Sequence, residues 1–363
     1  MFDWIPIEYY TAIYHHVLFV VAVLILLHAA VYNIQDRSSM LFFQILGYIL
    51  LPSIILYIGL RQISGVFFGD TGNYAVTYAV FAKNPNVTIE KDYLFNYLQK
   101  WCAPFMDIQY FFTLIALLYI IPCYMFSRKY FGKYWFFAFF LFIGSFSFWP
   151  YGVNGIRNGV ATSIFILALV FYDKKILCYT ILLISYGFHN SLAIPIGAFI
   201  VSDLYKNPKF YLYFWLAAIP LSLIAGSQLQ ALFGNLFSSD DRSVNYLTKG
   251  NVNNDNFTST GFRWDFVIYS ASAVSAGYYY ILKRKIKDNF YVHLFGTFVI
   301  ANAFWILVIK ANFSNRFAYL SWFLMAPVII YPLLRYKIVN DQYKWLGIVS
   351  MVYYLFTYIM FLK

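Results

Sequence analysis

DKKILCYTILLISYGFHNSLAIPIGAFIVSDLYKNPK, residues 173–209, decides the fold. Between its basic ends the apolar residues run almost unbroken, at a length that suits one transmembrane helix of about 20–25 residues. The ends argue otherwise. Short connectors rich in Lys and Arg stay on the cytoplasmic side of a membrane, so DKK (173–175) and KNPK (206–209) share that side. A chain that leaves and returns to one side crosses an even number of times. The stretch therefore divides at Gly187-Phe188-His189-Asn190 into two short, tilted or half-length elements, 175–187 and 190–201. Interrupted helices are tolerated at membrane depth where they line a cavity.

The same logic extends along all 363 residues, of which 62% are hydrophobic and only 11% charged. Apolar runs of roughly 18 or more residues recur, and transmembrane helices explain them. The pattern predicts segments at 11–32, 40–60, 107–126, 134–150, 156–172, 175–187, 190–201, 209–226, 264–283, 290–309, 316–335 and 343–362. The expected fold is an all-α polytopic membrane protein with about 12 segments, some short or broken. Residues 1–363 read as one integral membrane domain, with extracytoplasmic loops at 61–106 and 227–262. Five basic connectors, at 127–133, 173–175, 202–209, 283–288 and 335–344, fall in the cytoplasm and both termini outside. The cytoplasmic side then carries 15 Lys and Arg against 5 acidic residues, and the outer side 11 against 10. This asymmetry accounts for the net charge of +11, so nucleic-acid binding is not needed. Aromatics reach 23%, enough for interfacial belts and for a groove holding lipid or sugar. Cys102, Cys123 and Cys178 have no ligand spacing, so neither a disulfide framework nor a metal site is expected. The opening MFDWIPIEYY lacks the basic start of a cleaved signal peptide.

In this topology the polar residues beside apolar segments share the outer face. They are Arg61 with Gly69-Asp70-Thr71, Asn154 to Asn158, His189-Asn190-Ser191, Gly261 to Asp265, and Asn315-Arg316. One aqueous site at the outer leaflet is expected. Four arginines, Arg61, Arg157, Arg263 and Arg316, stand at helix ends there. A guanidinium keeps its charge and offers a planar fork suited to phosphate oxygens. The plainer roles are snorkelling to the interface or pairing with Asp70 and Asp265. Arg157 lies in GVNGIRNGVATSIF (152–165). On a helix over 154–162, Asn154, Arg157, Asn158 and Thr162 share a face, near an N-terminus that favours anions. Gly155 and Gly159 have the spacing of helix packing. His189, at the break, is a candidate general base or a residue that satisfies backbone groups freed by the break. Asp70, in FFGDTGNY, is a second candidate base, an arginine partner or a turn residue. Glu90-Lys91-Asp92 and Asp240-Asp241 read as solvated surface. Arg263 and Asp265, two apart, do not face each other on a helix, so a local pair is not assured. Asn86-Val87-Thr88, Asn256-Phe257-Thr258 and Asn312-Phe313-Ser314 spell glycosylation sequons, as chance allows.

Five motifs together carry a resemblance: LRQISGVFFGDTGNY (60–74), NGIRNGVATSIF (154–165), SYGFHNSLAIPI (185–196), TGFRWDF (260–266) and SNRFAYL (314–320). In this order and at these separations the chain resembles the EpsG family of bacterial exopolysaccharide proteins, within the Wzy-like polysaccharide polymerases. The resemblance implies a GT-C-like helical membrane glycosyltransferase of the bacterial inner membrane, its active site facing the periplasm or exterior. It implies undecaprenyl-diphosphate-linked oligosaccharides as substrates, a chain-length regulator protein as a partner, and no cofactor. The activity would move a growing glycan from its lipid carrier onto the non-reducing end of a lipid-linked repeat unit. His189 or Asp70 would take the acceptor proton. Arg157, Arg263, Arg316 and Arg61 would hold the diphosphate, and Asn154, Asn158, Asn190 and Asp265 would contact substrate. The alternatives are a flippase for the same lipid-linked sugars and a glycosyltransferase using polyprenyl-phosphate sugars. A flippase calls for internal repeats, and none is found; the second calls for a better acidic pair than Glu90 and Asp92 in the first outer loop.

Overall fold

The computed structural model describes residues 2–84, 86–236, 261–311 and 314–363. Among them every regular element is helical, as an all-α polytopic membrane protein requires. Seven helices are long and apolar enough to cross a bilayer, and three more, Ile156–Val170, Lys175–Phe188 and Asn190–Leu204, are apolar but shorter. These ten helices take in eleven of the twelve expected segments, with 107–126 and 134–150 both on the stretch Ile108–Ile143, while the twelfth, 264–283, is helical but falls in neither group. The break in the 173–209 stretch lies at His189, whose extended backbone (φ −158°, ψ 125°) interrupts the helix. Most of 227–262, with Asp240-Asp241 and the Asn256 sequon, lies outside the described residues, as does Asn312-Phe313. The stretch 61–106 holds three helices of its own.

The chain divides into two compact units, Met1–Ala193 with Leu333–Lys363, and Ile194–Pro332. The first unit contains α1 (Ile7–Val31), α2 (Arg37–Gly59), α3 (Gly65–Phe68), α4 (Thr71–Lys83) and α5 (Tyr93–Cys102). It continues with α6 (Ile108–Phe131), α7 (Trp135–Ile143), α8 (Phe148–Val153), α9 (Ile156–Val170) and α10 (Lys175–Phe188). Helix α6 packs on α2 and α9, and α9 in turn on α10. The nine residues WFFAFFLFI of α7 are buried without exception. A helix apolar on every side belongs in a core or in lipid; here α2, α6 and the C-terminal helix (Gln342–Leu362) enclose it. Association between membrane helices draws on close packing and ring contacts rather than on escape from water. The end of α7 is closed from two helices, by Tyr14 Oη donating to the Ile143 carbonyl (2.5 Å) and Thr357 Oγ1 to that of Gly144 (2.9 Å).

The second unit takes in most of α11 (Ala193–Leu204), then α12 (Pro208–Leu236), α13 (Trp264–Tyr278) with a π-helical turn at Tyr279–Lys283, and α14 (Asn289–Leu307). The short α15 (Ser314–Trp322) follows, then α16 (Met325–Arg335), which runs on into the first unit, and the C-terminal helix is α17. Helix α14 is the hub, packed by α12, α13 and α15. At its centre Asn302 accepts from Trp215 Nε1 (2.7 Å) and donates to Ser270 (3.1 Å) and Ser321 (2.9 Å). Trp322 Nε1 also reaches Ser270 (2.8 Å). Each of these buried polar groups has a partner, so the network holds four helices in register instead of costing desolvation.

Candidate functional site

The polar residues of the first unit converge where α2, α4 and α8 end or begin. Arg61, just past α2, is 1% exposed. It donates to the Ile58 carbonyl (2.6 Å) and the Val153 carbonyl (3.1 Å), and its plane lies 4.8 Å from the centre of Phe112. Thr71 Oγ1 bonds the same Val153 carbonyl at 2.8 Å. Burial pulls the Arg61 pKa down to about 10, so the side chain stays charged at neutral pH. The diphosphate contact expected of Arg61 does not suit this geometry. Its terminal nitrogens are turned inward to backbone carbonyls, and it works as a strut joining α2, the GDT turn and the end of α8.

That turn is built for close approach. Gly69 has φ +56°, and a Cβ there would stand 2.4 Å from Asn154 Oδ1. Both facts require glycine. Without a side chain in the way, Asn154 Oδ1 accepts the Asp70 amide at 2.9 Å. Asn154 itself lies outside α9, which starts at Ile156, so the expected stripe over 154–162 begins only at Arg157. Gly159 lets α9 cross α8 tightly, since a Cβ would come within 2.5 Å of the Tyr151 carbonyl. The packing role expected of its GxxxG spacing fits that contact.

Arg157 stands on the first turn of α9, its side chain 18% exposed. Nε donates to the Tyr74 hydroxyl (3.2 Å), and one terminal nitrogen (NH1) makes a short ion-paired bond to Asp92 Oδ2. Among the described residues the other terminal nitrogen (NH2) has no hydrogen-bond partner. Asp70, half-buried, lies close enough to add its charge to the field at Arg157 and Tyr74. Burial raises the Tyr74 pKa against the pull of Arg157, so the phenol keeps its proton. Asp92 corrects the reading of Glu90-Lys91-Asp92 as solvated surface. It is 7% exposed, in left-handed backbone at φ 46°, and it precedes α5 without capping it. Strained non-glycine backbone tends to mark functional sites. A lone aspartate in a polar loop reads as solvated surface, and no local pattern reveals its partner 65 residues away.

The next residue links this pair to the break. Asn158 Oδ1 accepts from Ser191 Oγ (2.9 Å), whose oxygen is also 2.8 Å from His189 Nδ1. The Ser191 amide donates to the same Nδ1 at 3.2 Å, so His189 caps the turn that follows it. Because Ser191 gives its hydroxyl proton to Asn158, its oxygen at 2.8 Å suits a protonated Nδ1, whereas its amide suits a bare one, so the ring's tautomer selects between the two contacts. Asn190 is exposed.

In the second unit Arg263 donates from Nε to Asp265 Oδ1 (2.9 Å) and from a terminal nitrogen to Oδ2 (2.7 Å), while stacking 3.8 Å above Phe266. The pair forms because Arg263 precedes the helix with ψ 80°, off the helical path on which residues two apart diverge. Arg316, half-buried on α15, and Arg263 both act electrostatically on Tyr319, to which Asn315 donates at 3.4 Å. Of the four arginines, then, Arg61 and Arg157 belong to the first unit and Arg263 and Arg316 to the second. No three His, Cys, Asp or Glu side chains among the described residues gather closely enough to hold a metal.

A model of the EpsG family matches residues 44–363. No curated protein and no solved structure matches the chain. The match takes in all five motifs quoted above, and the chain belongs to the EpsG family.

Proposed function

We propose that this EpsG-family protein is a polysaccharide polymerase that transfers a glycan from a polyprenyl-diphosphate carrier to the non-reducing end of a lipid-linked repeat unit. The observation that supports it most is Arg157, a guanidinium fixed by Asp92 and Tyr74 with one terminal nitrogen left for a ligand. Preorganised donors aimed at developing charge often contribute more to catalysis than any other single effect, and a fork held on two sides loses little entropy when it meets phosphate.

The acceptor hydroxyl oxygen attacks the anomeric carbon of the donor's reducing-end sugar. The bond from that carbon to the diphosphate oxygen breaks, and its electron pair leaves with the diphosphate. The hydroxyl proton passes to the Asp70 carboxylate. His189 assists: in the tautomer whose Nδ1 accepts the Ser191 amide, the ring carries its proton on Nε2 and donates a hydrogen bond from it to the departing oxygens. Asn154 and Asn158 hold Asp70 and Ser191 in place, and each does so through its carbonyl oxygen. The site faces the compartment in which lipid-linked repeat units accumulate, the outer side of the cytoplasmic membrane.

The test is a polymer ladder. Purified protein in liposomes receives synthetic lipid-diphosphate repeat units, with no nucleotide sugar, and products are resolved by size. Elongation by whole repeat units supports the proposal. Movement of the substrate across the bilayer with no new glycosidic bond would replace it with a flippase.

A further inference from the structure

A groove in the second unit lies apart from the polar clusters. Helices α12 and α13 both rest on α14, and between them opens a cavity of about 480 Å³, within the range of small-molecule sites. Its walls are apolar. Leu212, Trp215 and Leu216 come from α12, and Ala271, Val274 and Tyr278 from α13. Helix α12 is one of the seven candidate membrane spans, and only 33% of its apolar window is buried in the protein. Lipid is therefore the neighbour that the fold provides for this side.

Two lysines belong to this lining. Lys209 is the second residue of α12 and Lys283 the last of the π-helical turn that ends α13, so the start of one helix meets the end of the other. π-Helical turns are frequent at functional sites. Lys283 also lies 5.9 Å from the centre of the Tyr278 ring, on the groove wall. Lys209 and Lys283 belong to two different basic connectors, 202–209 and 283–288, which charge alone places on one side of the membrane. The same cavity gathers both. Bulk acyl chains would need no cations at such a groove.

We propose that this groove is a binding site for an anionic glycerophospholipid. The headgroup phosphate sits between Lys209 and Lys283, and an acyl chain lies along Leu212, Leu216 and Val274. The site is independent of the chemistry proposed for the first unit, and no step of that chemistry passes through it.

Native mass spectrometry of the full-length protein, released from detergent with graded phosphatidylglycerol or phosphatidylcholine, tests it. The expected result is one saturable phosphatidylglycerol adduct, held at least tenfold more tightly than phosphatidylcholine. The double variant Lys209→Gln/Lys283→Gln should lose about 30-fold in affinity for it, at roughly fivefold for each basic residue near an anionic headgroup. Val274→Trp, which fills the groove and keeps both lysines, should weaken both lipids. Melting temperatures of both variants within a few degrees of the parent establish that they are folded. The proposal is overturned if the double variant keeps the parent's preference, if millimolar inorganic phosphate displaces the lipid, or if a polyprenyl phosphate binds the same site more tightly. Retention of a helical peptide or a second copy of the chain in place of phosphatidylglycerol would overturn it as well.

Discussion

Each unit of this protein holds an arginine–aspartate pair next to a helix N-terminus, and these two pairs are made differently. Arg263 and Asp265 lie two residues apart, share two hydrogen bonds, and leave 21% and 36% of their side chains exposed. Arg157 and Asp92 are 65 residues apart, with 18% and 9% exposed, and a tyrosine holds the arginine from the other side. The first pair could form in a peptide. The second exists only after α4, α5 and α9 have packed. Local, half-exposed ion pairs contribute little, because water competes and side-chain entropy is lost. A pair assembled by tertiary structure and withdrawn from water leaves a costly orphan when one member is removed. The difference points to Arg157 as the arginine the fold is arranged around.

Two double-mutant cycles measure that difference, and they should show the largest effects. Asp92→Ala should destabilise the protein by about 3–5 kcal/mol, as breaking a buried pair does. Asp265→Ala should cost less than about 1 kcal/mol. Both are read from denaturation in a fixed detergent, with Arg157→Ala and Arg263→Ala as the second arms. In folded protein, Arg157→Ala should reduce polymer elongation by about 10²–10³-fold, and Arg157→Lys should recover little of it because the fork is lost. Equal couplings for the two pairs would erase the contrast. Normal elongation by both Arg157 variants would remove that residue from the mechanism.

What the sequence discloses follows the same division. Features carried by neighbours in the chain were legible, except the Arg263–Asp265 pair, which helical spacing argues against. Apolar length gave the membrane helices, and the basic connectors forced the break at His189, where the backbone is extended. Features made by distant residues were not. Asp92 looked like surface because its partner lies 65 positions away. Arg61 looked like a ligand because no local pattern reveals that its acceptors are the carbonyls of Ile58 and Val153. The nine apolar residues of α7 read equally well as lipid-facing or as core, and only packing shows them enclosed.

Arg61 sharpens the comparison from within the first unit, since it is also buried but meets carbonyls in place of a carboxylate. Arg61→Lys keeps the charge and loses the fork that spans Ile58 and Val153. Leaving a buried carbonyl without its donor should cost about 1–3 kcal/mol. Elongation per folded molecule should stay within about threefold of the parent. A loss of turnover at unchanged stability would make Arg61 a phosphate ligand after all, and burial would then be no guide to which arginine acts.

The smallest effects concern the link from Asn158 through Ser191 to His189. Ser191→Ala removes a hydroxyl that lies within bonding distance of both neighbours and keeps the amide that donates to Nδ1. One net hydrogen bond is worth about 1 kcal/mol, so elongation should fall roughly fivefold. Substitutions at His189 then separate its two roles. Glutamine places an amide N–H near the position of Nε2 and serves a donor, but it has no group basic enough to accept a proton at neutral pH. Elongation by His189→Gln should therefore exceed that of His189→Ala by about tenfold if the ring acts through Nε2–H. Equal inactivity of the two variants, with an acid limb in the parent's pH–rate profile that both lack, would return the base role to His189. The Ser191 amide would then have to release Nδ1 during turnover, and the tertiary cluster of the first unit would be mobile where the local pair of the second is fixed.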